Sequence, residues 1–427
     1  MQHNSTIVAL SSGAPPAAIG IIRISGSQAG AALEALAGRR PRPRRASLAH
    51  LRASDGRMLD EAVVLWFPGP DTATGEDLAE LHCHGGRAVI GAVQAALMAL
   101  PHIRAAEPGE FTRRAFANGR IDLAEAEGLG DLLAAETEIE RASALANMQG
   151  VLSARVEGWR DAVLGLSAQV EAALDFSDED DVSELPESFT WNIEALQKEL
   201  EDWISRPRSE KLGEGIQVAL AGPPNAGKST LFNAIVESEA AITSSIAGTT
   251  RDVIERKVAI GGVPFRFVDT AGLRAATTDE IEQIGIERAR NAIARADIVL
   301  WLGPEGNGPG GAWEIAPRSD MPDFVAKGHA KFTVSAMTGE GMAALKNALV
   351  DASKSILPKS GEAALNARQH ARIVEARDAL AGVSAMKDML IVAEELRNAR
   401  AAFDRLIGRS TTEDMLDALF GRFCIGK

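Results

Sequence analysis

The sequence predicts a multidomain chain of class α/β plus α: a mixed α+β N-terminal domain, a helical domain, and an α/β module inserted into that helical domain. Three observations predict it. From about Leu123 the chain turns rich in Ala, Leu and Glu, with apolar residues recurring at three and four, which is helical periodicity. Between residues 213 and 355 the short apolar runs IQVALAG, VPFRFVDTAG, ADIVLWLG and KFTVSA each end at a Gly, an Asp or a Ser, in strand–loop–helix order. Helical texture then returns from Ala364 to Phe423. The boundaries read 1–118, 119–212, 213–355 and 356–427, the second and fourth being two parts of one helical domain.

Taken in order, residues 6–23 and 61–82 are apolar runs broken by Gly and Pro, which suits strands and loops. The first helical stretch stops at the acidic turn SDEDDVSELP, and a further helix starts near Trp191. KVAIGGVPFRF reads as a hairpin around Gly261-Gly262. Internal repeats and low-complexity tracts are absent.

Composition excludes several classes. The chain of 427 residues is 46% hydrophobic and 24% charged, ordinary values for a soluble globular protein. Its apolar runs fall short of the ~18 residues that span a bilayer. MQHNSTIVAL lacks a basic n-region and an apolar h-region, so no signal peptide is expected. Two cysteines, Cys83 and Cys424, fit a reducing compartment, so the expected location is cytoplasmic, with no membrane partner. A net charge of -14 argues against a protein that grips nucleic acid over most of its surface. One local exception is GRRPRPRRASLAHLR, with Arg39, Arg40, Arg42, Arg44, Arg45 and Arg52, which reads either as a phosphate contact or as a solvated loop. The final CIGK places Cys424 where a prenylation box would have it, but Lys427 and the Gly before it do not fit that signal.

GPPNAGKST sets Gly222, Gly227, Lys228 and Ser229 in the spacing G-x-x-x-x-G-K-[ST], after the run IQVALA and before TLFNAIV. Glycines let backbone N–H groups approach phosphates, the helix N-terminus adds a favourable dipole, the lysine reaches β/γ oxygens, and the serine hydroxyl ligates Mg²⁺. Asp269 of DTAG ends an apolar strand where a carboxylate helps hold Mg²⁺, and Gly272 permits backbone approach to the γ-phosphate. Thr249 and Thr250 of GTTRD are placed to close over both. These elements in this order indicate a Ras-like P-loop module of the GTPase type.

Hydrolysis also needs an oriented water and positive charge near the β–γ bridge. Leu273 occupies the place of the water-orienting Gln, so a polar residue from farther along is required, and DEIEQIGIE supplies Asp279, Glu280 and Glu282. Base recognition departs from the usual N-K-x-D run. In APRSD, Pro317 and Arg318 stand at the Asn and Lys places, and Asp320 remains to accept from the guanine N1 and N2 hydrogens. Ser335-Ala336 after KFTV resembles the usual backbone contact to the guanine oxygen.

Taken with GIIRISG, TGEDLAELHCHGG, PGEFTRRAFANGRIDLAEAE, IEQIGIERA and FCIGK, these motifs resemble the MnmE (TrmE) family of tRNA-modification GTPases, essentially end to end. The resemblance implies an N-terminal folate-binding domain that dimerises and takes a 5-formyl-tetrahydrofolate-type one-carbon carrier through Arg23, Glu80, Arg120 and Lys427. It implies K⁺ held by Asn225 with Ser244, Ile246 and Thr249, Mg²⁺ held by Ser229 and Thr250, and an attacking water oriented by Glu282. GTP would contact Asn225, Ala226, Gly227, Lys228, Ser229 and Thr230, then Ser244, Thr249 and Thr250. Asp269, Thr270, Ala271 and Gly272 would follow, with Asp320, Ser335 and Ala336 at the base. Partners implied are a second copy of the chain, the tRNA, and an FAD-dependent protein (MnmG, also called GidA). Cys424 would lie near the folate site, as a nucleophile or, on the slightly favoured reading, as a positioning group, because a helix C-terminus does not lower a thiol pKa.

Two rivals make different predictions. A ribosome-assembly or generic switch GTPase would have no folate chemistry and no use for CIGK. A nucleotide-sensing scaffold with negligible turnover would follow from the altered N-K-x-D run, yet Lys228, Ser229, Thr250, Asp269 and Glu282 are all present. His82-Cys83-His84 reads as structural, since three adjacent residues rarely close a tetrahedral metal site.

Overall fold

A computed structural model describes residues 5–175, 185–238, 240–241, 255–269, 287, 290–322, 324–359, 361–385 and 388–426. The chain forms two compact units, Met1–Gly130 with Phe403–Lys427, and Asp131–Ala402.

In the first unit, β1 (Thr6–Leu10), β2 (Ile19–Ser25), β3 (Ser47–Arg52), β4 (Met58–Phe67), β5 (Leu78–His84) and β6 (Ile103–Ala105) form one sheet of order β3-β4-β5-β2-β1-β6. All pairings are antiparallel except β1 with β6. Strand alternation decides which residues form the core. Ile22 and Ile24 of β2 and Leu81 and Cys83 of β5 are buried with Leu33 of α1 (Ala29–Ala37) and Val93 and Leu97 of α2 (Arg87–Met98). Arg23, Glu80 and His82 alternate onto the opposite face. The sequence does not announce α1 and α2, because Ala and Gly on both sides of each helix blunt its 3.6-residue period.

The chain continues through α3 (Glu110–Ala117) and α4 (Leu123–Ala134). Late in the chain, α13 (Glu413–Phe420) returns to this unit, where Arg113 of α3 pairs with Glu413 and Asp417. Leu123, Leu416, Phe420 and Phe423 form a small apolar cluster beneath that contact.

The second unit contains a seven-stranded sheet. Its strands are β7 (Ile216–Ala221), β8 (Ala240–Ala241), β9 (Glu255–Ile260), β10 (Val263–Asp269), β11 (Ile298–Trp301), β12 (Trp313–Pro317) and β13 (Phe332–Val334). Their order is β13-β12-β11-β7-β10-β9-β8, parallel from β13 to β10, with β9 antiparallel to β10 and β8 antiparallel to β9. Buried parallel strands read as nearly continuous apolar runs, and IQVALA and VPFRFV are such runs. The expected hairpin is β9–β10, with Gly261 at φ 57° and Gly262 at φ 79°, the two positive dihedrals that a tight two-residue turn requires. β12 carries no strand signal in the sequence, because WEIAP is short and ends in Pro at a ladder position.

The helical elements of this unit include α5 (Glu138–Met148), α6 (Val151–Asp175), α7 (Glu187–Ile204), α8 (Ser209–Glu214), α9 (Lys228–Glu237), α10 (Met342–Ser353) and α11 (Ala367–Ala385). α12 (Met389–Ile407) follows. Thr137 and Glu140 close a capping box at the start of α5, and Lys257 of β9 donates to both Glu136 and Glu140. Ile139 packs against the core of the parallel sheet, so helix and sheet share one hydrophobic seam.

Candidate functional site

The phosphate loop runs from β7 to the N-terminus of α9. Three of its residues take positive φ: Gly222 (147°), Asn225 (60°) and Gly227 (90°). A Cβ on Gly222 would stand 3.0 Å from the backbone nitrogen of Gly303, so the turn closes against the end of β11 only with glycine there. Lys228, buried at the first position of α9, donates from Nζ to the carbonyl oxygens of Gly222 (2.9 Å) and Pro223 (2.7 Å). Its charge is thereby held across the mouth of the loop.

Two parallel strands bring Ser229 and Asp269 together. β10 registers Asp269 against Leu220 of β7, and the Ser229 hydroxyl donates to Asp269 Oδ2 at 2.6 Å. A buried carboxylate and an adjacent hydroxyl are hard oxygen donors, which fits Mg²⁺ beside a phosphate.

A cavity of about 250 Å³ adjoins the loop, lined among others by Gly227, Thr230, Arg318, Asp320, Ala336 and Met337. Asp320 accepts a hydrogen bond from Ser335 Oγ at 2.5 Å, and Ser335 is fully buried. Beyond the backbone contact expected of Ser335, its side chain thus orients the Asp320 carboxylate. Arg318, at φ 62°, lies across the phosphate loop, its Nε 3.5 Å from where a Cβ on Gly227 would be. Nothing local in APRSD signals that contact. Ser244, Ile246, Thr249, Thr250, Thr270, Ala271, Gly272, Glu282 and Lys427 lie outside the described residues, as do Leu273, Asp279 and Glu280.

On the first unit, Arg23 Nη2 pairs with Glu80 Oε1 at 2.9 Å, and His82 Nε2 stands 3.2 Å from Glu80 Oε2. The Arg23 guanidinium lies 5.9 Å from the centroid of Phe111. Arg120 pairs with Asp71 (3.0 Å). Behind Phe111, Glu110 accepts from Arg104 and Arg114; burial opposes its ionisation, but these donors together with the Glu107 N–H outweigh it and hold the carboxyl below its ordinary range. The C-terminal segment docks on the same unit. Gly109 N–H donates to Cys424 O (3.5 Å), Ile425 bridges to Pro108, and Ser11 Oγ donates to Gly426 O (2.8 Å).

The two thiols differ. Burial, with Asp60 adding to it, pushes Cys83 up to about 12, whereas Cys424 is exposed. At mildly alkaline pH one equivalent of a thiol-specific chromogenic reagent is expected to react with the native protein, at Cys424, and a second only on unfolding. Two fast equivalents would contradict the burial of Cys83. The raised folded-state pKa also sets a sign. The stability contributed by the neutral Cys83 thiol is complete below the ordinary thiol value of 9.0 and is lost as pH climbs toward about 12. His82, Cys83 and His84 do not converge on one point, since His84 binds Asp60 and Cys83 faces the core. No group of three metal-ligating side chains occurs among the described residues.

Comparison with known proteins decides the family. The family description "GTP-binding protein TrmE N-terminus" matches residues 6–120, and "MnmE helical domain" matches residues 123–424. This chain belongs to the MnmE family of tRNA-modification GTPases. The tRNA modification GTPase MnmE of Erythrobacter litoralis is 63% identical over 99% of this chain and 100% of its own length. That of Novosphingobium aromaticivorans is 61% identical over 99% of each. Among solved structures, the G domain of the T. maritima FeoB iron transporter is 23% identical, covers 32% of this chain and 98% of its own, and has a TM-score of 0.25. Family membership sets aside the generic switch and the inert scaffold: the chain is a GTP hydrolase of tRNA modification with a mixed N-terminal domain, a helical domain and a P-loop G domain. No helix among the described residues is long and apolar enough to cross a membrane.

Proposed function

We propose that this protein, a cytoplasmic homodimer paired through its N-terminal domain, works with an FAD-dependent partner (MnmG) to place a carboxymethylaminomethyl-type group on the wobble uridine of tRNA. The one-carbon unit would come from a tetrahydrofolate carrier held by Arg23, Glu80, Arg120 and Lys427. One observation supports the reading: the C-terminal segment docks on the unit that holds Arg23, Glu80 and Arg120. Cys424 O takes the N–H of Gly109, two residues before Phe111, and Phe111 underlies Arg23, which pairs with Glu80. A pterin presents a flat aromatic face and a row of N–H donors, which suits a guanidinium, an aromatic ring and a carboxylate so disposed.

In the G domain, Lys228 would bind the β/γ oxygens, Ser229 and Thr250 would hold Mg²⁺ with the support of Asp269, and Glu282 would orient the water. Asn225, Ser244, Ile246 and Thr249 would hold K⁺, which would supply the positive charge that an arginine finger supplies in other GTPases. Asp320, aimed by Ser335, reads guanine.

Steady-state hydrolysis of GTP and ATP in potassium and in sodium tests this half. Fast turnover is expected for GTP in potassium alone. Equal rates in the two salts would remove K⁺ from the mechanism, and equal use of ATP would mean that Asp320 does not select the base. With the partner and tRNA added, modification is expected only when the one-carbon folate is supplied.

A further inference from the structure

The loop between α1 and β3 carries five arginines in seven residues, Arg39 to Arg45, in a chain of net charge -14. They divide into two kinds. Arg40 and Arg44 are anchors. Arg40 lies 5.0 Å from the centroid of Trp66, 3.0 Å from Glu34 Oε1, and against the backbone of Gly30. Arg44 binds Asp71, lies 5.9 Å from the Phe67 centroid, and donates its backbone N–H to Trp66 O (2.8 Å). Arg39, Arg42 and Arg45 are exposed, and their side chains have no carboxylate partner among the described residues.

The loop that presents them is stiff. Gly38 ends α1 at φ 75°, Arg44 is held at φ 59°, and Pro41 and Pro43 fix their own φ. Pro41 is buried, so the segment is pinned at its middle as well as at its ends. A loop that merely dissolves in solvent has no need of a guanidinium stacked on a buried Trp, nor of three uncompensated cations held close together. Such a display costs repulsion that salt screens in part and that a closely spaced polyanion would turn into attraction. Guanidinium, planar and weakly hydrated, is the cation suited to phosphate oxygens.

Position narrows the ligand further. Asp71, which anchors Arg44, also accepts from Arg120 at 3.0 Å. A basic rim therefore runs from the loop to a residue assigned above to the one-carbon carrier. We infer that Arg39, Arg42 and Arg45 bind the RNA phosphate backbone flanking the nucleotide being modified, an inference that rests on tRNA being brought to this unit for modification.

The test compares the full-length protein with a variant carrying R39A, R42A and R45A together, by fluorescence anisotropy on unmodified tRNA over a range of salt. Each phosphate neutralised contributes about 0.7–0.9 to the slope of log K against log salt, so the slope is expected to fall by about two and affinity by about tenfold or more. GTP hydrolysis should not change, and an unchanged melting temperature and circular dichroism spectrum report that the variant is folded. Lysine at all three positions should restore the slope while recovering affinity only in part. If wild type binds tRNA with a steep salt dependence and the alanine variant does the same, the loop assignment is overturned while tRNA binding stands. Loss of binding to phosphatidylserine vesicles with tRNA affinity intact would overturn it in favour of a lipid surface. If wild type fails to bind tRNA even with its FAD-dependent partner present, the underlying reading fails first.

Discussion

Alanine at Lys228 lowers GTP turnover by about 10²–10³-fold, the range measured when one preorganised donor is removed from a developing oxyanion, or about 3–4 kcal/mol. The size follows from how the charge is held. Lys228 is buried at the start of α9, its Nζ held in the loop by the carbonyls of Gly222 and Pro223, so on the proposed role its charge is already placed for the phosphates. The substitution also leaves two carbonyls without that donor, so a second variant separates chemistry from folding. Asp269→Asn keeps the shape and can still accept from Ser229, but loses the charge that supports Mg²⁺. It is expected to raise the Mg²⁺ concentration needed for half-maximal hydrolysis by about tenfold or more, with an unchanged melting temperature. Turnover by either variant within a factor of two of wild type would remove that residue from the site.

Gly426→Ala is expected to reduce tRNA modification by about 10²-fold while leaving GTP hydrolysis unchanged, since misplacing a site by an ångström costs about that much. Gly426 has φ 98°, and a Cβ there would lie 2.2 Å from Leu10 O, a backbone atom that cannot swing aside. The segment must lift, breaking the Ser11–Gly426 hydrogen bond and the Ile425–Pro108 bridge. Cys424→Ser is the companion measurement: it leaves the docking intact, so near-normal modification by it, with loss in Gly426→Ala, marks Cys424 as a positioning residue. Loss in both marks the thiol itself as essential. Full modification activity in Gly426→Ala would detach the docked segment from the chemistry.

What could be read in the residues was local. The phosphate loop is nine consecutive residues whose glycines, lysine and serine define a backbone conformation, and the β9–β10 hairpin is two glycines between apolar runs; neither needs a distant partner. Asp269 is legible because a buried parallel strand is an apolar run and its end is visible. Arg23 and Glu80 were singled out only through resemblance, because a charged residue on an exposed strand face has no local signature; what the structure shows of them is their ion pair. Helices α1 and α2 escaped because small residues on all sides carry little periodicity.

Tertiary structure decided the rest, through pairs whose members carry no mutual signal along the chain. Ser11 and Gly426 meet across 415 residues, and Arg113 reaches Asp417 across 304. Ser335 aims Asp320 because β12 and β13 lie side by side, and WEIAP is too short to announce itself as the strand that makes this so. The division of the Arg39–Arg45 run into anchors and unpaired cations follows from Trp66, Glu34 and Asp71, each brought close by the folding of the sheet. Backbone conformation and burial period are written residue by residue. Which charge finds which partner depends on where packing brings distant segments together, and that is decided only when the core forms.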